Sequence, residues 1–392
     1  MGSGWASGTD DPGTVKMAQT MAQTVAHAIF PSPRVRRSPY YEATVAAGAS
    51  AFAPYNHMLL PMGYGDPLAE YERLTTGVSM WDVAVQRQIE LNGPDAGPLA
   101  QALCPRRLDK MPVGMGWYVP LCDYRGVLLN DPVLMKLAED RYWLSIADSD
   151  VLLWARGVAG ARDYQVNVFE ADVSPLAVQG PRAEDVVAAM FGDWIREIRY
   201  FEFRDVDYDI PLKLARSGYS KQGGFELYLM DGTRGLDLWD RVATAGKEFG
   251  IGPGSPNPME RVESGLLSWG GDTDDETNPF EVRLGRFVDL DCPDDVIGIH
   301  ALRRIKENGP LRWQLGVKLD VEDRLPAMDF RSEITRGSML MGHVTAHAWS
   351  PKLQQNIGLA LVSRDLKPGD SVNIALPGGA YSVAQMCKLP FV

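Results

Sequence analysis

The sequence predicts an α+β body followed by a small all-β C-terminal domain. Three observations carry this reading. The chain has 392 residues, too many for one core at ~100–200 residues per domain. Helix and strand patterns alternate from Tyr55 onward. After Asn308-Gly309-Pro310 only short strand-like runs remain, which suit a β-barrel or jelly roll.

The elements follow in order. Residues 1–31 are predicted to be a loosely held extension, because Met1–Gly13 is rich in Gly, Ser, Thr and Asp. A weak helix over Lys16–Phe30 is broken by Pro31, Pro33 and Pro39. Arg34, Arg36 and Arg37 read as a solvated segment bridging to acidic surface rather than as a nucleic-acid patch. Gln88–Leu91 is a short strand, and a helix follows the Asn92-Gly93-Pro94 turn over Asp95–Cys104. Tyr118–Leu121 and Val133–Leu137 read as strands joined by the turn Asp123-Tyr124-Arg125-Gly126. Tyr142–Ile146 is another strand, and Asp148-Ser149-Asp150 offers caps for a helix over Val151–Gly160.

A strand at Leu176–Gln179, a turn at Gly180-Pro181 and a helix to Phe191 repeat the earlier signal, so two similar βαβ-type lobes are expected. Strands at Leu212–Ala215 and Phe225–Tyr228 precede helices at Gly235–Phe249 and Pro258–Trp269, the latter capped by Asn257. A helix over Ile299–Lys306 closes the body. Strands at Gln314–Leu319, Gly342–Thr345, Ile357–Val362 and Ser371–Ile374 build the last domain.

Composition narrows the function. With 39 basic and 51 acidic side chains the formal net charge is −12, which argues against nucleic acid or an anionic membrane as main partner. Four scattered cysteines form no CxxC pair and suit a reducing cytoplasm. No apolar run approaches a membrane span, and the N-terminus lacks the pattern of a secretory signal. Glycine-rich nucleotide loops and G-x-S-x-G are absent. His343 and His347 stand four apart without a third ligand nearby, so no metal site is expected.

Two segments are dense in polar and aromatic residues. In Gly126-Val-Leu-Leu-Asn130-Asp131-Pro132 the aspartate follows an apolar strand edge. It is either a turn cap or a carboxylate that orients a nitrogen nucleophile and accepts its proton, and composition does not choose between them. In Arg216-Ser-Gly-Tyr219-Ser-Lys221-Gln222-Gly223-Gly224-Phe225-Glu226-Leu-Tyr228 the glycines permit close ligand approach. Glu226 and Tyr228 would share one strand face. A glycine-rich hairpin with a solvated glutamate is the plainer reading of this segment taken alone.

Together these segments resemble the aminomethyltransferase family, the T-protein of the glycine cleavage system. Its G-G-x-x-x-D-D turn, R-x-G-Y-T-G-E-D-G-x-E hairpin, L-R-L-E-A-G helix and late S-P-x-L segment are matched in order. The matching stretches are Gly126–Asp131, Arg216–Glu226, Glu260–Gly265 and Ser350–Leu353. The departures at Ser220–Gly224 and Asp82–Arg87, with Tyr55–Pro61, Ser145–Asp150 and Leu389–Val392, are similar to its tetrahydrofolate-dependent dimethylsulfoniopropionate (DMSP) demethylase branch.

The resemblance implies a three-domain cloverleaf of two α+β lobes and a C-terminal β-barrel or jelly roll, with folate in the central channel. The first lobe would hold residues 32–80 and 173–260, the second 81–172 and 261–309, and the β domain 310–392. Asp131 matches the catalytic aspartate near the pterin, and Glu226 the glutamate that bonds the pterin ring. Tyr118 and Tyr219 match folate-contacting tyrosines, and Arg261 an arginine near the folate tail. Gln86 stands where the T-protein has a folate-contacting methionine. Tyr228 matches a tyrosine beside the substrate, and Tyr55, Lys221 and His57 are further candidates on the substrate side.

The expected activity is methyl transfer from DMSP to N5 of tetrahydrofolate, giving 5-methyltetrahydrofolate and 3-methylthiopropionate. The expected partners are tetrahydrofolate and a small-molecule methyl donor, and a homodimer is compatible with the sequence. An aromatic ether donor is the alternative; it would need a general acid such as Lys221 or His57. A non-catalytic folate-binding protein is a third reading. A glycine-cleavage T-protein is disfavoured, because the hairpin and the strand near Gln86 depart together.

Overall fold

The computed structural model describes residues 32–325, 331–376 and 379–392. The expected helix over Lys16–Phe30 lies outside the described residues. The chain divides into Met1–Arg34 and Val35–Val392, and the architecture below is that of the second unit.

Three β systems organise it. A six-stranded sheet runs in the order Phe203–Asp205, Leu212–Ala215, Gly224–Leu229, Ser174–Gln179, Ser79–Asp82, Gly252–Gly254. A five-stranded sheet runs Asn167–Glu170, Gln88–Asn92, Arg141–Ser145, Val133–Ala138, Gly116–Tyr118. The six strands from Arg312–Leu319 to Tyr381–Cys387 close into a barrel. Closure follows from Arg312–Leu319 pairing with both Gln355–Ser363 and Tyr381–Cys387, which leaves no free edge. The last domain is therefore a barrel rather than a jelly roll.

The βαβ expectation is corrected. All ladders of the two open sheets are antiparallel except Gly252–Gly254 on Ser79–Asp82. The strand-turn-helix signal was locally sound, since helices do form at Ala96–Leu103 and Ala183–Phe191. A helix after a strand does not by itself fix the sense of the next pairing.

Local chemistry explains the remaining differences. The run Tyr118–Leu121 splits into Gly116–Tyr118 and Leu121–Cys122, with Pro120 in the break. Asn257 caps the helix Pro258–Ser264, accepting from the amides of Met259 at 3.0 Å and Glu260 at 3.1 Å. That helix stops well before Trp269, because Gly265 takes the left-handed conformation at φ 61°. Asp150 makes no capping bond to the helix Val151–Ala161.

Each β system buries its own apolar core: Leu176, Val178, Phe225 and Leu227 in the first, Ile89, Leu91, Leu134 and Leu144 in the second, and Val317, Ile334 and Ile374 in the barrel. A further cluster joins the two open sheets, with Met135 and Trp143 packed with Phe203, Ala215 and Tyr228. The helix Pro258–Ser264 packs Met259 and Val262 with barrel residues Ile357 and Leu359. These contacts fix the hairpin, the five-stranded sheet and the barrel around the residues described next.

Candidate active site

Val133 is the reference point. It pairs with Tyr118 on one side and Ser145 on the other. Asp131 precedes it, and the Tyr118 hydroxyl donates to Asp131 Oδ2. Burial outweighs that bond and pushes the Asp131 carboxyl up to about 7, with a small contribution from Asp272. Tyr118 is raised well above its usual value by burial first and by Asp131 second. Asp131 is therefore a buried carboxylate and not a turn cap.

A network that the motif reading did not single out holds Asp131 in place. Asn130 is fully buried and uses both ends of its amide. Its Oδ1 accepts from the amides of Asp131 and Ala147, each at 3.0 Å. Its Nδ2 donates to the Ala147 carbonyl at 2.9 Å and to Ser149 Oγ at 2.8 Å. Asn56, at the tip of the hairpin formed by Ala51–Tyr55 and Met58–Gly63, donates to the carbonyls of Val85, Ile146 and Ala147 at 2.9, 3.3 and 3.0 Å. The Asn56 amide donates to Asp148 Oδ1 at 2.8 Å, so Asp148 serves this latch rather than the helix. Asn56 and Asn130 both lie in the segments that carried the resemblance. The sequence signal for them was a turn-forming asparagine beside an apolar strand.

The second wall comes from the hairpin and the helix after it. Tyr219 donates to the Leu267 carbonyl at 2.8 Å. Its pKa is raised by burial, the nearby Arg261 opposing and Asp272 and Asp131 adding. Tyr55 is raised by burial, then by Asp131 and Tyr219, which sets it among the same groups. Arg261 is tied to Asp272 Oδ2 at 2.6 Å and to the Leu266 carbonyl at 3.0 Å. Asp272 stands in an acidic Gly270–Asp275 stretch and is fully buried.

Glu226 anchors a neighbouring cluster. Ser217 donates to Glu226 Oε2, and the Tyr228 hydroxyl donates to the same oxygen at 3.1 Å. Burial raises the Glu226 pKa, while Ser217, Tyr228 and Gln86 lower it through hydrogen bonds. Ser145 donates to Gln86 Oε1 at 3.4 Å and accepts from Gln88 at 2.9 Å. Tyr228 lies against Trp143, with ring centroids 6.2 Å apart. Gln86, Ser145, Ser217, Glu226 and Tyr228 thus bridge the two open sheets. Ser217 and Ser145 carried no sequence signal of their own.

The side chains of His57 and Lys221 make no hydrogen bond or ion pair with these groups among the described residues. Both are exposed, and His57 pairs with Asp150 at 3.3 Å. The amide of Lys221 is held by Glu260 Oε1 at 2.9 Å, which also accepts from Gln222 at 3.1 Å and Ser264 at 2.8 Å. Glu260 thus ties the hairpin to the helix.

Asp131 and Glu226 are both buried carboxylates with no lysine or arginine ion partner among the described residues. That acceptor set fits a ligand offering several N–H groups, as a reduced pterin does.

Comparison with known proteins agrees. The GCVT N-terminal domain matches residues 40–292, and the glycine cleavage T-protein C-terminal barrel domain matches 313–392. The chain is similar to the dimethylsulfoniopropionate demethylase DmdA of Ruegeria pomeroyi, at 42% identity over 91% of this chain and 97% of that protein. It is 30% identical to an aminomethyltransferase of Symbiobacterium thermophilum over 91% of this chain and 97% of the relative. The crystal structure of aminomethyltransferase T from Bartonella henselae superposes with a TM-score of 0.79 at 24% identity, covering 91% of this chain and 98% of that one. Two matching domains in the family's order, together with those relatives, place the chain in the glycine cleavage T-protein (aminomethyltransferase) family.

Proposed function

We propose that the protein is a tetrahydrofolate-dependent demethylase that moves a methyl group from DMSP to N5 of tetrahydrofolate. The observation that carries this reading is the buried Tyr118–Asp131 pair, in a chain 42% identical to a DMSP demethylase along nearly its whole length. Tetrahydrofolate supplies N5 as methyl acceptor. The C–S bond breaks as the C–N bond forms, the thioether leaves neutral with its electron pair, and one proton is released.

The chain's own residues then have distinct tasks. Asp131 offsets the positive charge that develops at the methylated nitrogen and receives the released proton. A carboxyl brought up to about 7 can accept that proton and return it to water near neutral pH. Tyr118 holds Oδ2, leaving Oδ1 without a side-chain donor among the described residues and available to the reacting nitrogen. Glu226, kept in place by Ser217 and Tyr228, accepts N–H groups of the pterin. Gln86 and Tyr219 line the cofactor side. Tyr55 and Tyr228 offer aromatic faces to the sulfonium, each worth ~0.5–2 kcal/mol.

A sulfonium needs no protonation to leave. The exposure of His57 and Lys221 therefore favours the sulfonium over an aromatic ether, whose oxygen needs a general acid. The sheet membership of the strands supports the proposed division into lobes 32–80 plus 173–260 and 81–172 plus 261–309, with the barrel at 310–392. The test is an assay of DMSP and a methoxy-aromatic with tetrahydrofolate. Formation of 3-methylthiopropionate from DMSP alone is expected, and turnover of the ether alone would overturn the reading.

A further inference from the structure

Three arginines beside Tyr118 have no acidic partner among the described residues: Arg106, whose Nη1 donates to the Tyr118 carbonyl at 2.7 Å, and Arg283 and Arg286. Arg283 takes a left-handed conformation at φ 64° and starts the short turn Leu284–Phe287, which carries Arg286. Arg283 Nε donates to Gln314 Oε1 at 3.1 Å, and its Nη2 donates to the Gly265 carbonyl. Arg286 lies over the ring of Phe287 at 4.7 Å and makes no hydrogen bond or ion pair among the described residues. Phe287 in turn packs edge-on against Tyr118, with centroids 5.2 Å apart and planes at 80°. The turn therefore abuts the residue that holds Asp131.

The charge balance there is unusual for this protein. Its acidic groups outnumber its basic ones, 51 to 39, and most of its arginines reach a carboxylate. Asp272 is the acid whose charge acts on Arg283, but it is spoken for. Arg261 at 2.6 Å and the Ser268 amide at 2.8 Å take Oδ2, and Thr345 takes Oδ1 at 2.7 Å. Both Arg283 and Arg286 are solvent-accessible. Even so, the protein around Arg283 and the like charge of Arg286 pull the Arg283 pKa below its ordinary value. Arg283 is thus open to solvent although protein surrounds part of it. Two adjacent guanidinium groups repel, and an anion between them removes that cost.

We propose that Arg283 and Arg286 anchor a carboxylate of a bound substrate beside the Tyr118–Asp131 pair. This rests on the functional reading above, in which both substrates carry such a group: tetrahydrofolate on its glutamyl tail and DMSP on its propionate. Arg261, which the resemblance matches to an arginine near the folate tail, has its charge matched by Asp272. The unpaired arginines are the better match for an incoming anion.

Calorimetric titration of Arg286→Gln decides the matter, with Arg286→Lys as the charge-keeping control. The ligands are tetrahydrofolate, a tetrahydropteroyl amide without tail carboxylates, DMSP, and the dimethylsulfonium alcohol in which CH2OH replaces the carboxylate. Losing one charge-assisted bond should weaken the carboxylate-bearing partner about ten-fold and its carboxylate-free analogue less than about two-fold. Arg286→Lys should recover part of the loss, and the melting temperature should not move. A loss confined to tetrahydrofolate assigns the anchor to the tail, and one confined to DMSP assigns it to the donor. Unchanged affinity for both acids, or an equal loss for the analogues, overturns the proposal. Wild-type protein that binds tetrahydrofolate but not DMSP would count against the donor and leave the folate arm to decide the anchor.

Discussion

Asp131→Asn should make the protein more stable at alkaline pH while nearly abolishing turnover. In the unfolded chain this carboxyl ionises near 3.8, whereas in the fold burial holds its proton up to about 7. The fold thus binds the proton more tightly than the unfolded chain does. The group's contribution to stability is complete below 3.8 and is lost as pH rises through about 7. At ~1.36 kcal/mol per pH unit, that interval puts the cost of the buried charge at ~4 kcal/mol above pH 7. Asparagine keeps the shape, still accepts from Tyr118 and carries no charge. Urea unfolding of wild type and variant at about pH 5 and about pH 8 isolates the group. Other carboxylates, such as Asp274 and Glu202, are held below their usual range and shift stability in the opposite sense, but equally in both proteins. The variant's advantage should grow by ~2–3 kcal/mol from the lower to the higher pH. Its kcat should fall by roughly 10²–10³, the usual loss when one preorganised charge is removed from a developing charge. An advantage that does not change with pH would refute the placement of the carboxyl in a desolvated site.

Three further changes probe the supporting structure. Asn130→Asp should lose the donors to Ala147 and Ser149 and set a second carboxylate beside Asp131. It should cost ~1–3 kcal/mol and move the acid limb of the pH–rate profile upward, and an unmoved limb would remove Asn130 from the positioning network. Glu226→Gln should weaken tetrahydrofolate binding by ~1.5–3 kcal/mol, and calorimetry showing equal affinity would exclude a pterin contact there. Gly224→Ala should lower the melting temperature, because its φ of 148° is strained for a side chain and an added Cβ would strike the Val178 carbonyl.

Much of this is legible in the sequence. The segments that carry Asp131, Tyr118, Tyr219 and Glu226 stand out as linear motifs, because strand-turn-strand segments keep neighbouring residues together in space. The end of the helix at Ser264 was missed, although Gly265 supplied the stop signal, because the apolar pattern runs on to Trp269. The sense of strand pairing was also missed, since it depends on contacts between segments as distant as Ser79–Asp82 and Ser174–Gln179. The partners of Arg261, the latch from Asn56 to Ala147 and the unpaired state of Arg286 are likewise long-range. No window of sequence contains Asp272, Thr345 and Arg261 together. His57 and Lys221 are exposed, a property that a polar residue's place beside a motif does not reveal.

Incubation with tetrahydrofolate and DMSP bearing deuterated S-methyl groups tests the central claim most directly. The account predicts 5-methyltetrahydrofolate that retains all three deuterons of one methyl, formed one for one with 3-methylthiopropionate. Methylene-tetrahydrofolate, or labelled methyl that never reaches the folate, would contradict it.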